Sequence, residues 1–247
     1  MRIADYHATP IRNPQSQIRN RMTHLDSELK MLKADIIEMW RLVINQLDKA
    51  KDALTNFDRD LAEEVVENEK RVNSYELKID RDCENIFALF QPVATDLRLV
   101  LATMKICNNL ERIGDIAASV ADFVLDADTD FNKAILEHTK ILEMYAIANE
   151  MIADTLEAFD KEDTRLARTM FKRDKILDKI DEAALDRVME CIQNYPEQVR
   201  NSLLVMSMIR KLERVGDQSK NIAEEIIFYF EAKVLKHKKK KQKEGDE

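Results

Sequence analysis

Apolar residues recur at helical spacing along almost the whole chain. Leu25, Leu29, Leu32, Ile36, Met39, Val43 and Leu47 step by three or four near the start, and Met206, Ile209, Leu212, Val215, Ile222, Ile226 and Phe230 step by three, four or seven near the end. That period gathers each set on one face of an α-helix. No Gly or Pro falls within 15–91, yet a single helix of that length would run about 115 Å, so a turn must interrupt it. The polar knot at 56–60 marks the place, with Asp60 and Glu63 at the spacing of a capping box. A second knot at 159–163 repeats it, Phe159 standing for Phe57. The pattern predicts helices over 23–56, 60–90 and 92–126, then 132–158, 162–194 and 196–235. Pro92 and Pro196 are expected to open their helices, because a proline in the first helical position gives up only an unpartnered amide.

The chain's punctuation is duplicated. Pro92 with Gly114 returns as Pro196 with Gly216, and Leu110-Glu-Arg-Ile-Gly-Asp115 returns as Leu212-Glu-Arg-Val-Gly-Asp217. The offset that carries Gly114 onto Gly216 also carries Arg98 onto Arg200 and Ala121 onto Ala223. Such a repeat indicates two copies of one supersecondary unit. Short turns make each copy an up-down-up bundle. The expected architecture is all-α, two tandem three-helix bundles over 23–128 and 129–235, with a leader at 1–22 and a lysine-rich tail at 236–247.

Composition narrows the picture. The chain has 3 glycines and 4 prolines in 247 residues, where average usage would give roughly 17 and 12. That scarcity excludes sandwiches, barrels and alternating α/β folds, together with P-loops, dinucleotide fingerprints and nucleophile elbows. The net charge is −8, and the body before the lysine-rich tail is more acidic still, which argues against nucleic-acid binding. Cys83, Cys107 and Cys191 are odd in number and widely spaced, as in a reduced chain. No apolar run reaches the ~20 residues that span a bilayer, and the first residues lack a signal core. A soluble, cytoplasmic protein is expected.

Candidate chemistry lies in paired acids. Glu111 and Asp115 share one face of the third helix, as Glu76 and Asp80 share one face of the second. Folded back between Thr95 and Asp96, the two helices align Glu76 with Asp115 and Asp80 with Glu111. The second copy repeats this: with a fold-back between Tyr195 and Pro196, Asp174 meets Asp217 and Asp178 meets Glu213. Four like charges brought together repel unless a cation sits among them, and all-oxygen donors suit Mg²⁺, Mn²⁺, Ca²⁺ or iron. One multi-carboxylate metal site per bundle is expected, with pairing to Arg112, Arg214 or a nearby Lys as the alternative. Gly114 and Gly216 each cost about 0.5–1 kcal/mol in a helix interior. Both sit between the acids, where a missing Cβ admits either a ligand shell or a close helix contact. No Glu-x-x-His occurs, so the di-iron bundle pattern of oxygen-activating enzymes is missing.

Taken together, the doubled Leu-Glu-Arg-Ile/Val-Gly-Asp, Gln91-Pro92 with Asp96-Leu97-Arg98, the acidic pairs and His24-Leu-Asp-Ser-Glu-Leu29 strongly resemble the PhoU family of phosphate-specific transport accessory and regulatory proteins. The resemblance spans 20–232. It implies two pseudo-symmetric three-helix bundles, with metal clusters held by Glu76, Asp80, Glu111, Asp115, Asp174, Asp178, Glu213 and Asp217. Arg98, Arg112, Gly114, Arg200, Arg214 and Gly216 support the motif; iron, zinc, magnesium and manganese are the candidate ions. It further implies a non-enzymatic negative regulator of phosphate-starvation signalling, often a homodimer, acting between the phosphate ABC transporter ATPase and a sensor histidine kinase, and touching the membrane only through partners. An oxygen-activating carboxylate-metal enzyme and a structural helical scaffold are the alternatives. Asp96 becomes Gln198 in the second copy, so the halves differ there.

Overall fold

The computed structural model describes residues 14–235, with side chains described from His24 onward. The first thirteen positions and the tail at 236–247 lie outside these. Eight α-helices follow in order: α1 (Pro14–Asn56), α2 (Arg59–Phe90), α3 (Ala94–Asp126), α4 (Lys133–His138), α5 (Ile141–Asp160), α6 (Thr164–Glu182), α7 (Ala184–Asn194) and α8 (Val199–Glu231). The described residues form no strand. α1, α2 and α3 pack as one bundle, and α5, α6 with α7, and α8 as the second.

The ends of the helices explain most departures from the predicted bounds. α1 begins at Pro14 rather than at 23, so residues 14–22 of the expected leader are helical. The first-position expectation fails at Pro92: Gln91 closes α2 in the left-handed region, Val93 is extended, and α3 starts only at Ala94. Pro196 does open a turn, a 3₁₀ segment (Pro196–Gln198) leading into α8.

The capping residue of α2 is Asp58, not Asp60; its carboxylate accepts from Leu61 N–H at 3.0 Å. Phe57 takes a left-handed φ of 52°, and Asp58 N–H reaches back to Ala53 C=O at 3.0 Å. The second turn is built alike, but about one helical turn later than the duplication predicts. Glu162 has φ 59°, Asp163 N–H reaches Ala158 C=O at 2.9 Å, and Asp163 caps Arg165 and Leu166. Phe159 is therefore helical and fully buried, its ring 5.5 Å from that of Trp40 on α1. The predicted fourth helix breaks between α4 and α5, with Lys140 at φ 61°, and the fifth breaks at Ala183.

α3 and α8 join the halves. They pack on each other, and both contribute long runs to a single continuous core that also takes in α1, α2, α5 and α6. Burial of these stripes, at about 25 cal/mol per Å² of apolar surface, rather than helix propensity alone, holds helices of this length in place. No helix among the described residues is long and apolar enough to cross a membrane.

Candidate functional site

The first acidic set lies where α2 folds against α3. Glu76 senses Asp80 on its own helix and Asp115 across the gap, and its pKa is raised, by burial first and then by those charges. Glu111 is pushed up to about 7: burial is the largest cause, followed by the Asp115 and Glu76 charges and a hydrogen-bonding contact with Asp115, while Arg112 works weakly against them. The pairing of Glu76 with Asp115 predicted from spacing is thus present. None of the four acids of this set makes an ion pair within 4 Å among the contacts of the described residues.

The second set keeps the register and changes the chemistry. Glu213 on α8 feels Asp217, Asp181, Asp178 and Asp174 together, and with burial as the leading cause its pKa is raised. Into this set reaches Lys220, its Nζ donating to Asp174 Oδ2 at 2.5 Å and to Asp217 Oδ1 at 2.6 Å. Burial opposes the ammonium, but these two hydrogen bonds hold it charged, and its pKa is raised. Asp174 is 5% exposed; burial raises its pKa and Lys220 pulls it back. Asp174 Oδ1, the oxygen not used by Lys220, has no hydrogen-bond partner.

Among the described residues no three His, Cys, Asp or Glu side chains are drawn into a set that holds an ion as it stands. Glu76 and Glu111 both lie near Asp115 in the first set, and Asp174, Asp178 and Asp217 lie near Glu213 in the second. Their chemistry fits a hard cation, most directly in the first set, where the crowded negative charges have no basic group in contact.

The two motif glycines differ. A Cβ on Gly114 would stand 3.2 Å from Val72 Cγ1 and 3.3 Å from the Oε1 of buried Gln46. Gly114 is therefore a close contact of α3 with α2 and α1, not part of a ligand shell. A Cβ on Gly216 would stand 2.5 Å from Leu177 Cδ1 and 3.2 Å from Asp174 Oδ1, so this glycine makes room for α6 and its buried acid.

The motif arginines lie in two places. Arg112 and Arg214 are exposed and line a groove of about 540 Å³ between α3 and α8, with Asp115, Asp217, Ser119 and Lys211. Both copies of the motif meet there. Arg98 and Arg200 sit near the starts of their helices: Arg98 donates to Tyr229 C=O at 3.0 Å, and Arg200 to Asp126 C=O at 2.9 Å. Cys83 and Cys107 do face one another, buried; burial pushes Cys83 up to about 12 and Cys107 further in the same direction. They are core thiols.

In the second set the structure bears out the alternative of pairing to a nearby Lys, although no motif singled out Lys220. One turn past Asp217 it resembles an ordinary surface i, i+3 pair, and only the α6–α8 register brings Asp174 to its other side. The duplication held a signal, since the matching position in the first copy is Ala118.

Comparison with known proteins bears on the two-bundle fold. The PhoU domain model matches residues 36–124 and 141–226, one match per bundle. The phosphate-specific transport system accessory protein PhoU of Escherichia coli K12 is 32% identical over 212 residues, covering 86% of this chain and 87% of that protein. Its counterpart from Edwardsiella tarda is also 32% identical, over 86% of each. The crystal structure of PhoU from Pseudomonas aeruginosa superposes with a TM-score of 0.76 at 30% identity, over 84% of this chain and 99% of that one. The phosphate transport system regulatory protein PhoU from Streptococcus pneumoniae gives a TM-score of 0.76 at 26% identity, over 85% and 99%.

Proposed function

The chain belongs to the PhoU family, and from that footing we propose that it is a non-enzymatic negative regulator of phosphate-starvation signalling and phosphate uptake. In this reading it is a metal-binding adaptor that works, as a cytoplasmic homodimer, between the phosphate ABC transporter's ATPase and a sensor histidine kinase. The relatives' names, accessory and regulatory protein of phosphate transport, support the regulatory part. The observation that carries the metal part is the first acidic set. Glu76, Asp80, Glu111 and Asp115 lie on two facing helices with no basic partner, and Glu111 keeps a proton up to about pH 7.

These four carboxylates would supply the oxygens for the ion, and the ion would supply the positive charge that lets all four ionise together. Asp174, Asp178, Glu213 and Asp217 form the corresponding set in the second bundle. The first set borders the α3–α8 groove through Asp115, so cation binding by that set would bear on how the bundles pack, a surface a partner can read.

Deletion followed by a phosphate-starvation reporter assay in high phosphate tests the regulatory reading. Derepression supports it, and a reporter that stays off overturns it. Metal analysis of the purified protein tests the second part: a divalent-metal content unchanged in Glu111→Gln/Asp115→Asn overturns metal binding by the first set.

A further inference from the structure

The two acidic sets differ in one built-in charge. Lys220 stands inside the second set, its Nζ within 2.6 Å of carboxylates from two helices, Asp174 on α6 and Asp217 on α8. The matching residue of the first bundle is Ala118, a buried methyl at 4% exposure. Asp174 shares its buried position with a hard constraint: Leu177 and Asp174 fill the space a Gly216 side chain would take. The carboxylate therefore cannot back away from the ammonium without disturbing the core.

Resting on the metal-binding reading above, we propose that Lys220 is a tethered counter-ion that closes the second acidic set to divalent cations, so that the first set alone loads metal. A divalent ion entering the second set would have to displace the ammonium from both oxygens. The lysine's stem would then keep its charge close by, and two like charges in a half-buried site repel strongly. The first set offers no such competitor. The pseudo-symmetric fold would therefore carry one cation-responsive bundle and one locked bundle.

The test counts bound Mn²⁺ on chelator-stripped full-length protein, by gel filtration and atomic spectroscopy, in wild type, Lys220→Met, Lys220→Arg and Lys211→Met. Lys220→Met keeps the aliphatic stem and removes the charge; Lys220→Arg keeps a cation. Circular dichroism checks that each variant is folded. Lys220→Met is expected to roughly double the Mn²⁺ bound per chain, because ligands freed of a resident cation become available. Adding Asp217→Asn to Lys220→Met should abolish the gain, and Lys220→Arg and Lys211→Met should bind like wild type. The proposal is overturned if Lys220→Met binds no more than wild type, or if Glu213→Gln/Asp217→Asn lowers Mn²⁺ binding in the wild-type background. The metal reading of the first set fails separately, if wild type binds no more than Glu111→Gln/Asp115→Asn. The gain at Lys220→Met is scored at Asp217 in either case.

Discussion

Arg98 and Arg200, the matching residues of the two repeats, each hydrogen-bond the end of the other repeat's long helix. Arg98 on α3 reaches Tyr229 C=O near the last turn of α8, and Arg200 on α8 reaches Asp126 C=O in the last residue of α3. The last carbonyls of a helix lack intrahelical partners and carry partial negative charge, so each guanidinium answers both needs at once. Arg59 adds two more donors to the end of α3, at Leu125 and Ala127. The antiparallel α3–α8 pair is thus clasped at both ends by one duplicated residue.

Removing either clasp should cost stability without touching the acids. Arg98→Ala and Arg200→Ala are each expected to destabilise by about 1 kcal/mol, with Arg200 the smaller because Arg59 still serves α3. The double variant should be near-additive, since the clasps share no partner. Urea unfolding checks both, and a double variant no worse than either single would refute independent clasps.

Much of this arrangement was legible in the sequence because few residues were free to obscure it. With Gly114 and Gly216 as the only glycines inside the described helices, the apolar period stayed readable, and the i, i+4 spacing of the acids with one fold-back point was enough to align Glu76 with Asp115. What the sequence hid depended on three dimensions. Spacing left Gly114 open between a ligand shell and a close helix contact, and Val72 and Gln46 decide for the contact. Spacing allowed a nearby Lys as partner of the acids, but only the approach of α6 brings Asp174 to Lys220. The break before α5 follows from Lys140 in the left-handed region, a backbone state no composition rule announces for lysine.

The two glycines should respond differently to alanine. At Gly216 a methyl would stand 2.5 Å from Leu177 Cδ1, so the fully buried Leu177 side chain would have to shift. Gly216→Ala is expected to destabilise by about 1–2 kcal/mol after the gain in helix propensity is counted. At Gly114 the nearest atoms are at 3.2 Å and 3.3 Å, so a shift of tenths of an ångström suffices. Gly114→Ala should lie within about 1 kcal/mol of wild type. Thermal unfolding of the two variants gives the order, and the reverse order would contradict the packing.

Trp40 carries α1 into the second bundle. It is fully buried against Phe159 of α5, and its indole N–H has no hydrogen-bond partner. Trp40→Ala should cost about 3–5 kcal/mol through the cavity it leaves. Trp40→Phe should cost much less, because it keeps a ring against Phe159 and removes a buried unpaired donor. Equal losses in the two variants, read by urea unfolding, would show that the N–H has a partner.

Glu111 makes the metal-free protein sensitive to pH in a direction opposite to that of an ordinary ion-paired acid. Its pKa is raised from 4.5 to about 7 in the folded state. Below 4.5 both folded and unfolded chains hold the proton and the group is neutral toward stability. Between 4.5 and 7 the unfolded chain has released a proton that the native chain still holds. Raising pH across that window therefore favours unfolding, and the loss is complete once the native carboxyl ionises. Glu111→Gln keeps the size and removes the titration. Because the site is largely open to solvent, the full shift must be discounted, and the variant should gain about 1 kcal/mol over wild type at pH 8 with no such gain at pH 4. Urea unfolding in the presence of a chelator at the two pH values measures this difference. A variant that is no more stable than wild type at pH 8 would mean that neither burial nor the charges of Asp115 and Glu76 hold the Glu111 carboxyl above its ordinary range.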